Sequence, residues 1–190
     1  VSLEIDPWPV RTERLVIRPF TPSDIEEAWT YRQLEEVTTW TGSWLASPDQ
    51  WREFAADRTD LLALEHDGVL VGDIKFAVQD GWGQRGTDPA AVRRTEAELG
   101  WTIDPAHAGR GYASEAARAL LGVAFDVVGV RRVVAHAFAD NAPSVRIMEK
   151  LGMRREYTTR EDSFHMTRGW IDGVGYAMLA REWRELAPAT

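Results

Sequence analysis

The chain has 190 residues, 44% hydrophobic and 27% charged, a composition that builds one globular domain with a real core. Its net charge of −8 argues against a general nucleic-acid binder, which is usually basic, and suits cationic partners such as amines as well as plain solubility. There is no cysteine, hence no disulfide, thiol nucleophile or thiolate metal site; no apolar run approaches the ~18 residues of a membrane span, and residues 1–9 lack the regions of a secretory signal, so the cytoplasm is the expected location.

Residues 15–20 read as a first strand. Thr21 then caps a helix predicted to run to about Leu34, with Pro22 where a first helical turn tolerates proline. Residues 37–46 look irregular, and Ser47-Pro48-Asp49 opens a second helix to about Arg58 by the same logic. Asp67-Gly68 is a hairpin turn between strands at 61–65 and 69–78. Residues 80–94, with three glycines and a proline, read as a loop or insertion; loops of that length are often functional. A strand at 95–103, a long helix at 111–128, a strand at 132–138 and a short helix at 143–151 follow. Two strands at 154–161 and 170–180 close the chain as an antiparallel pair. The order predicts a single α+β domain whose central strand–loop–helix unit carries the chemistry. No internal repeat or linker interrupts it.

That unit is Leu99-Gly-Trp-Thr-Ile-Asp-Pro-Ala-His-Ala-Gly-Arg-Gly-Tyr-Ala-Ser-Glu-Ala-Ala. Pro105 breaks the strand, and Gly109 and Gly111 precede the helix. Ala113, Ala116, Ala117, Leu120, Leu121, Ala124 and Phe125 recur at three- and four-residue spacing, which makes one buried face. A loop of this kind delivers free backbone N–H groups at a helix N-terminus, an anion site, with Arg110 as an added charge. The same glycines also suit a tight turn that needs them only for geometry. The GxxxxGK[ST] pattern is absent, and GxGxxG lacks its third glycine at Ser114, so both nucleotide readings, NAD(P) included, are weak.

The sequence resembles the GCN5-related N-acetyltransferases, in particular their RimJ/RimL-like branch of ribosomal-protein N-terminal acetyltransferases. The resemblance rests on Arg14-Leu-Val-Ile-Arg-Pro-Phe, Ala97-Glu-Leu-Gly-Trp-Thr-Ile-Asp-Pro, Gly109-Arg-Gly-Tyr-Ala-Ser-Glu-Ala, Asp140-Asn-Ala-Pro-Ser-Val-Arg-Ile-Met-Glu-Lys-Leu-Gly-Met and Gly175-Tyr-Ala-Met-Leu. These stand in the family's order and spacing from about residue 11 to 184. The resemblance implies one domain with a mixed central sheet of about seven strands, splayed around an acyl-CoA site, and about four helices. Acetyl-CoA or another acyl-CoA is the implied co-substrate. Its pyrophosphate meets Ala108, Gly109, Arg110, Gly111, Tyr112, Ala113 and Ser114, and its pantetheine arm pairs with the main chain of Trp101, Thr102 and Ile103. Ala108 departs from the Gln or Arg that many members carry there.

Acyl transfer needs a neutral amine, a polarised thioester carbonyl and a route for the leaving thiolate. Glu96 and Glu98 alternate on one strand face; Glu98 is the expected general base, directly or through water, and Glu96 a contact to the acceptor. A main-chain N–H near Leu99 or Gly100 is placed to polarise the carbonyl. Asn141 reads as a helix cap, and the resemblance adds a cofactor contact there. Where many relatives place a tyrosine as general acid this chain has Met148, so Ser144 is the implied substitute, beside cofactor and sulfur. Trp40, Trp44 and Trp170 are candidate acceptor walls. The four histidines show no metal-ligand spacing, so no metal is expected. The reading is an N-acyltransferase working by direct attack in a ternary complex, as a monomer or homodimer, on a peptide or protein N-terminal amine. A small-molecule amine and a non-catalytic acyl-CoA-binding module are the alternatives.

Overall fold

The computed structural model describes residues 8–43 and 45–186. The elements in chain order are β1 (Val10–Arg11), β2 (Val16–Pro19), α1 (Pro22–Arg32), α2 (Glu35–Thr38), α3 (Pro48–Ala56), β3 (Leu61–His66), β4 (Val69–Gln79), α4 (Pro89–Val92), β5 (Glu96–Ile103), α5 (Tyr112–Gly122), β6 (Arg132–Phe138), α6 (Ala142–Lys150), β7 (Arg154–Thr158), β8 (Ser163–His165), β9 (Gly169–Ile171), β10 (Gly173–Leu179) and α7 (Ala180–Leu186). Eight strands form one mixed sheet in the order β1-β2-β3-β4-β5-β6-β10-β7, and β8 and β9 form a separate hairpin. The expected α+β class with a mixed central sheet is what the structure shows.

Local chemistry sets the helix starts. The Thr21 main-chain N–H donates to the Asp24 carboxylate at 2.7 Å, and Ser47 accepts from Gln50 N at 3.3 Å. Asn141 accepts from Ser144 N at 3.2 Å. In each case a side-chain oxygen satisfies a donor that the helix end or its cap leaves open. Packing then sets the layers. Leu61-Leu62-Ala63-Leu64 is buried without a break because β3 is covered on both faces, as a continuous apolar run requires. Leu62 and Leu64 join the main core with α5, whereas Leu61 and Ala63 pack with Tyr31 and Trp51 of α1 and α3.

The structure differs from the sequence reading in four places. The helix from 111 changes at Gly122 into a π-helical segment, Val123–Val128, ended by Gly129 at φ 77°. Its apolar positions keep their spacing across the change, so periodicity does not mark it. The segment 80–94 contains α4 and is pinched at its base, where Gly81 N donates to Val92 O at 2.8 Å and Arg94 N to the Asp80 carboxylate at 2.8 Å. The chain beyond β7 forms the β8–β9 hairpin, Ser163 to Ile171, before β10 begins. The described residues end on a helix, α7, whose Trp183 stacks on Phe125 at 6.0 Å. No helix among the described residues is long and apolar enough to cross a membrane.

Candidate active site

The sheet opens in its middle. All neighbouring strands are antiparallel except β5 and β6. Their parallel pairing spans only Glu96↔Arg132, Ala97↔Val133 and Glu98↔Val134. Beyond Glu98 the two strands part. β5 stays with β4 to Ile103, and β6 stays with β10 to Phe138. One edge of residues 99–103 therefore has main-chain donors and acceptors with no strand beside them, which is an expensive arrangement unless water or a ligand pairs them.

A cavity of about 590 Å³ occupies one side of this gap. Trp101, Thr102 and Ile103 from β5 line it, with Ala108, Gly109 and Gly111 from the loop. So do Tyr112, Ala113 and Ser114 from α5, and Asn141 and Ser144 from α6. The loop is built for close approach. Gly109 and Gly111 hold φ 74° and 83°, a backbone region costly for any other residue. Among the described residues, no main-chain hydrogen bond is made by the N–H groups from Gly109 to Ser114. They converge at the positive end of α5.

A set of side chains behind the loop fixes this geometry. The Arg14 guanidinium donates to the Arg110 carbonyl at 2.9 Å and to the Glu115 carboxylate at 2.7 Å, and lies 4.9 Å over the Tyr112 ring. Glu115 also accepts from Thr12 Oγ1 and from Arg14 N. Burial alone would raise the Glu115 carboxyl, but the hydrogen bonds from Thr12 and Arg14 outweigh it and hold the group below its ordinary value. The Arg110 side chain itself reaches back to the Ala106 carbonyl at 3.4 Å and is not on the cavity wall.

A second cavity of about 390 Å³ shares Trp40, Thr41, Trp101, Thr102, Asn141 and Ser144 with the first. Beside Phe54, Leu61, Leu99 and Ala137, its wall carries six ionisable side chains, Arg32, Arg58, Asp73, Lys75, Glu98 and His136. Arg32 and Asp73 are a buried ion pair, Nε donating at 3.0 Å, and the Tyr31 hydroxyl donates to the same carboxylate at 2.7 Å. Lys75 Nζ donates to Glu98 Oε2 at 2.6 Å. Arg58 is paired with Asp60. Glu98 lines this cavity with Gly100 and Ser144 and is ion-paired there.

Trp40 is on both cavity walls, with Arg168 over its ring at 5.7 Å. The β8–β9 hairpin is tied down beside it. His165, 4% exposed, donates from Nε2 to the Thr39 carbonyl at 2.9 Å, and Arg168 donates to Asp140 at 2.7 Å. Two of the expected acceptor residues are on neither cavity wall. Glu96 is held by Arg132 at 2.8 Å and Gln79 at 3.0 Å. Trp170 is 60% exposed on the hairpin, edge-on to Phe164. Trp44 is outside the described residues.

The sequence reading missed Arg14 and Glu115, the Arg32–Asp73 and Lys75–Glu98 pairs, and His136. It also missed Arg146 and Lys150, which line the larger cavity. Their four-residue spacing on α6 was a usable signal, since it places two cations on one helix face.

A family model for an acetyltransferase (GNAT) domain matches residues 14–154. The chain belongs to this family of N-acetyltransferases. It is 28% identical over 181 residues to the uncharacterized N-acetyltransferase YnaD of Bacillus subtilis, covering 92% of this chain and 98% of that one. A crystal structure of a GNAT-family acetyltransferase from Bacillus anthracis superposes with a TM-score of 0.77 at 30% identity, over 91% of this chain and 99% of that one. Mycobacterium smegmatis RimJ, in complex with CoA-disulfide, shares the fold with a TM-score of 0.74 at 18% identity, over 96% of this chain and 91% of that one.

GNAT acetyltransferases use acetyl-CoA, and the residues present fit it. The larger cavity has the free N–H groups for a pyrophosphate and an unpaired strand edge for amides. It also has His107, whose buried Nδ1 has no hydrogen-bond partner. Among the described residues no cluster of three or more His, Asp or Glu could hold a metal ion.

Proposed function

We propose that this GNAT acetyltransferase acts on an α-amine, with the N-terminus of a peptide or protein as the favoured acceptor. Acetyl-CoA would be held at the larger cavity by the N–H groups of Gly109 to Ser114, with Arg146 and Lys150 facing its phosphates. Trp101, Thr102 and Ile103 would pair with its pantetheine amides through the strand edge. When bound it supplies the activated thioester. The acceptor would enter through the smaller cavity and meet the thioester where the two cavities join, at Trp101 and Ser144. The Lys75–Glu98 pair lies on the wall where the amine would arrive, and Ser144 is the hydroxyl beside the leaving sulfur.

The observation that carries the choice of acceptor is the state of the carboxylates. Both carboxylates on the acceptor wall, Asp73 and Glu98, are already neutralised by Arg32 and Lys75. A polyamine would find no unpaired anion to bind. An amine of pKa about 10.4 would also ask far more of a base than an α-amine of about 8. A free amino acid is the second reading: its carboxylate would replace a paired carboxylate at Arg32, Arg58 or Lys75 on the same wall.

The test is thiol release from acetyl-CoA with three acceptors: short peptides beginning with Ala or Ser, free L-amino acids, and spermidine. Turnover is expected with the peptides and absent with spermidine. Turnover with spermidine alone would overturn the reading, and preference for free amino acids would select the second.

A further inference from the structure

Six ionisable side chains line the acceptor cavity. Five are bound in ion pairs, Arg32 with Asp73, Lys75 with Glu98 and Arg58 with Asp60. His136 is the sixth, and it has no charged partner among the described residues. Its one hydrogen-bond partner among the described residues comes from across the sheet. The strand register puts His136 opposite Gly175 of β10, and Gly175 opposite Tyr157 of β7. A Cβ at Gly175 would overlap the Tyr157 ring, so glycine there is what lets the phenol lie across β10 and reach the imidazole. The two rings stack with centroids 6.1 Å apart and planes at 28°. The Tyr157 hydroxyl oxygen sits 2.8 Å from His136 Nδ1. Nδ1 is thereby fixed, and Nε2 makes no hydrogen bond to a described residue.

We propose that His136 is the base that takes the proton of the acceptor amine, with Tyr157 as its positioning residue. This rests on the acetyl-transfer reading given above. Nδ1–H donates to the Tyr157 oxygen, and the Nε2 lone pair is presented to the cavity. One ammonium proton passes to Nε2. The freed nitrogen pair forms the C–N bond to the acyl carbon as the C–S bond breaks. A second proton from nitrogen ends on the departing sulfur, and the imidazolium returns its proton to solvent.

Three features support the assignment. Imidazole is the side chain whose titration lies nearest neutrality. In the imidazolium both ring nitrogens donate, so a neutral phenol oxygen is a suitable partner for the loaded base. Burial, then Asp162, Glu156 and Glu98 against the opposing Arg132, hold the Tyr157 hydroxyl above its ordinary value, so it remains a phenol. Facing His136 across the cavity are the Lys75–Glu98 pair of β4 and β5, the Arg32–Asp73 pair and Arg58.

The first test needs neither co-substrate nor acceptor. Imidazole ¹⁵N–¹H correlation spectra of the free protein, assigned with His136→Gln, should show the Nδ1–H tautomer at His136. Tyr157→Phe should release it toward Nε2–H. The second uses acetyl-CoA with whichever amine of the panel above the native enzyme acetylates. His136→Gln should lower kcat about 100-fold or more and remove the acid limb of the pH–rate profile. Its acetyl-CoA affinity by calorimetry should stay within about twofold. Tyr157→Phe should lower kcat less, with a displaced pH profile. An Nε2–H tautomer in the native protein would overturn the assignment, as would a His136→Gln enzyme within threefold of native kcat and an unchanged pH profile. Failure of the native protein to bind acetyl-CoA would strike the acetyl-transfer reading itself, and this inference with it.

Discussion

The two cavities that meet at Trp101 and Ser144 are made of different material. The larger, where the co-substrate is proposed to bind, presents backbone: the N–H groups of a glycine loop, the first turn of α5 and the free edge of β5. The smaller, the proposed acceptor side, presents side chains joined in pairs from elements far apart in sequence. Arg32 meets Asp73 across 41 residues, and Lys75 meets Glu98 across 23. His136 meets Tyr157 across 21. A backbone site can serve every relative that uses the same co-substrate, because it does not depend on side-chain identity. A site of paired side chains can be retuned one pair at a time, which is where acceptor preference would reside.

The comparison can be broken hardest at the Arg32–Asp73 pair. Asp73 is 1% exposed, and Arg32→Met leaves its carboxylate buried without a cation. Removal of one partner of such a pair costs about 3–5 kcal/mol. Urea unfolding should show a midpoint lowered accordingly. A change under about 1 kcal/mol would mean that Tyr31 and water satisfy Asp73 alone.

Gly111→Ala sharpens the contrast from the other side. No neighbour obstructs a Cβ there, since the nearest atom, Arg14 Nη2, would lie at 3.5 Å. The φ of 83° is what resists it, at about 1–2 kcal/mol. The variant should lose that much stability and bind acetyl-CoA more weakly by calorimetry, with amine selectivity unchanged. A selectivity change would show that the two sides are not separable.

Glu115→Gln is the smallest perturbation and acts through pH. The Glu115 carboxyl is held below its ordinary value in the folded state, so its stabilisation is present above the unfolded value of about 4.5 and is lost as pH falls through the lower folded value. At pH 7 the variant should be about 1 kcal/mol less stable. The gap should close under acid. A gap independent of pH would assign the loss to packing.

The same contrast explains what was legible in the sequence. The glycine loop, its strand and its helix are consecutive, so Gly109, Gly111 and the apolar face of α5 announce themselves within twenty residues. The helix caps Thr21, Ser47 and Asn141 are equally local. Glu98 could be placed on a strand face by alternation, but its partner Lys75 is on a neighbouring strand whose register no local pattern fixes. Gly175 appears in sequence only as a small residue in a strand. Its reason is the Tyr157 ring, brought there by the return of β10 between β6 and β7. Glu115 looks like an ordinary first-turn acid until Thr12 and Arg14, about a hundred residues earlier, are found against it.

The central claim is that main-chain N–H groups of this chain hold the co-substrate, and amide hydrogen exchange with and without CoA tests it most directly. The account expects CoA to slow exchange at Gly109 to Ser114 and along residues 99–103, and to leave α1 and α3 unchanged. Unaltered exchange across the loop and the strand edge at saturating CoA would contradict it.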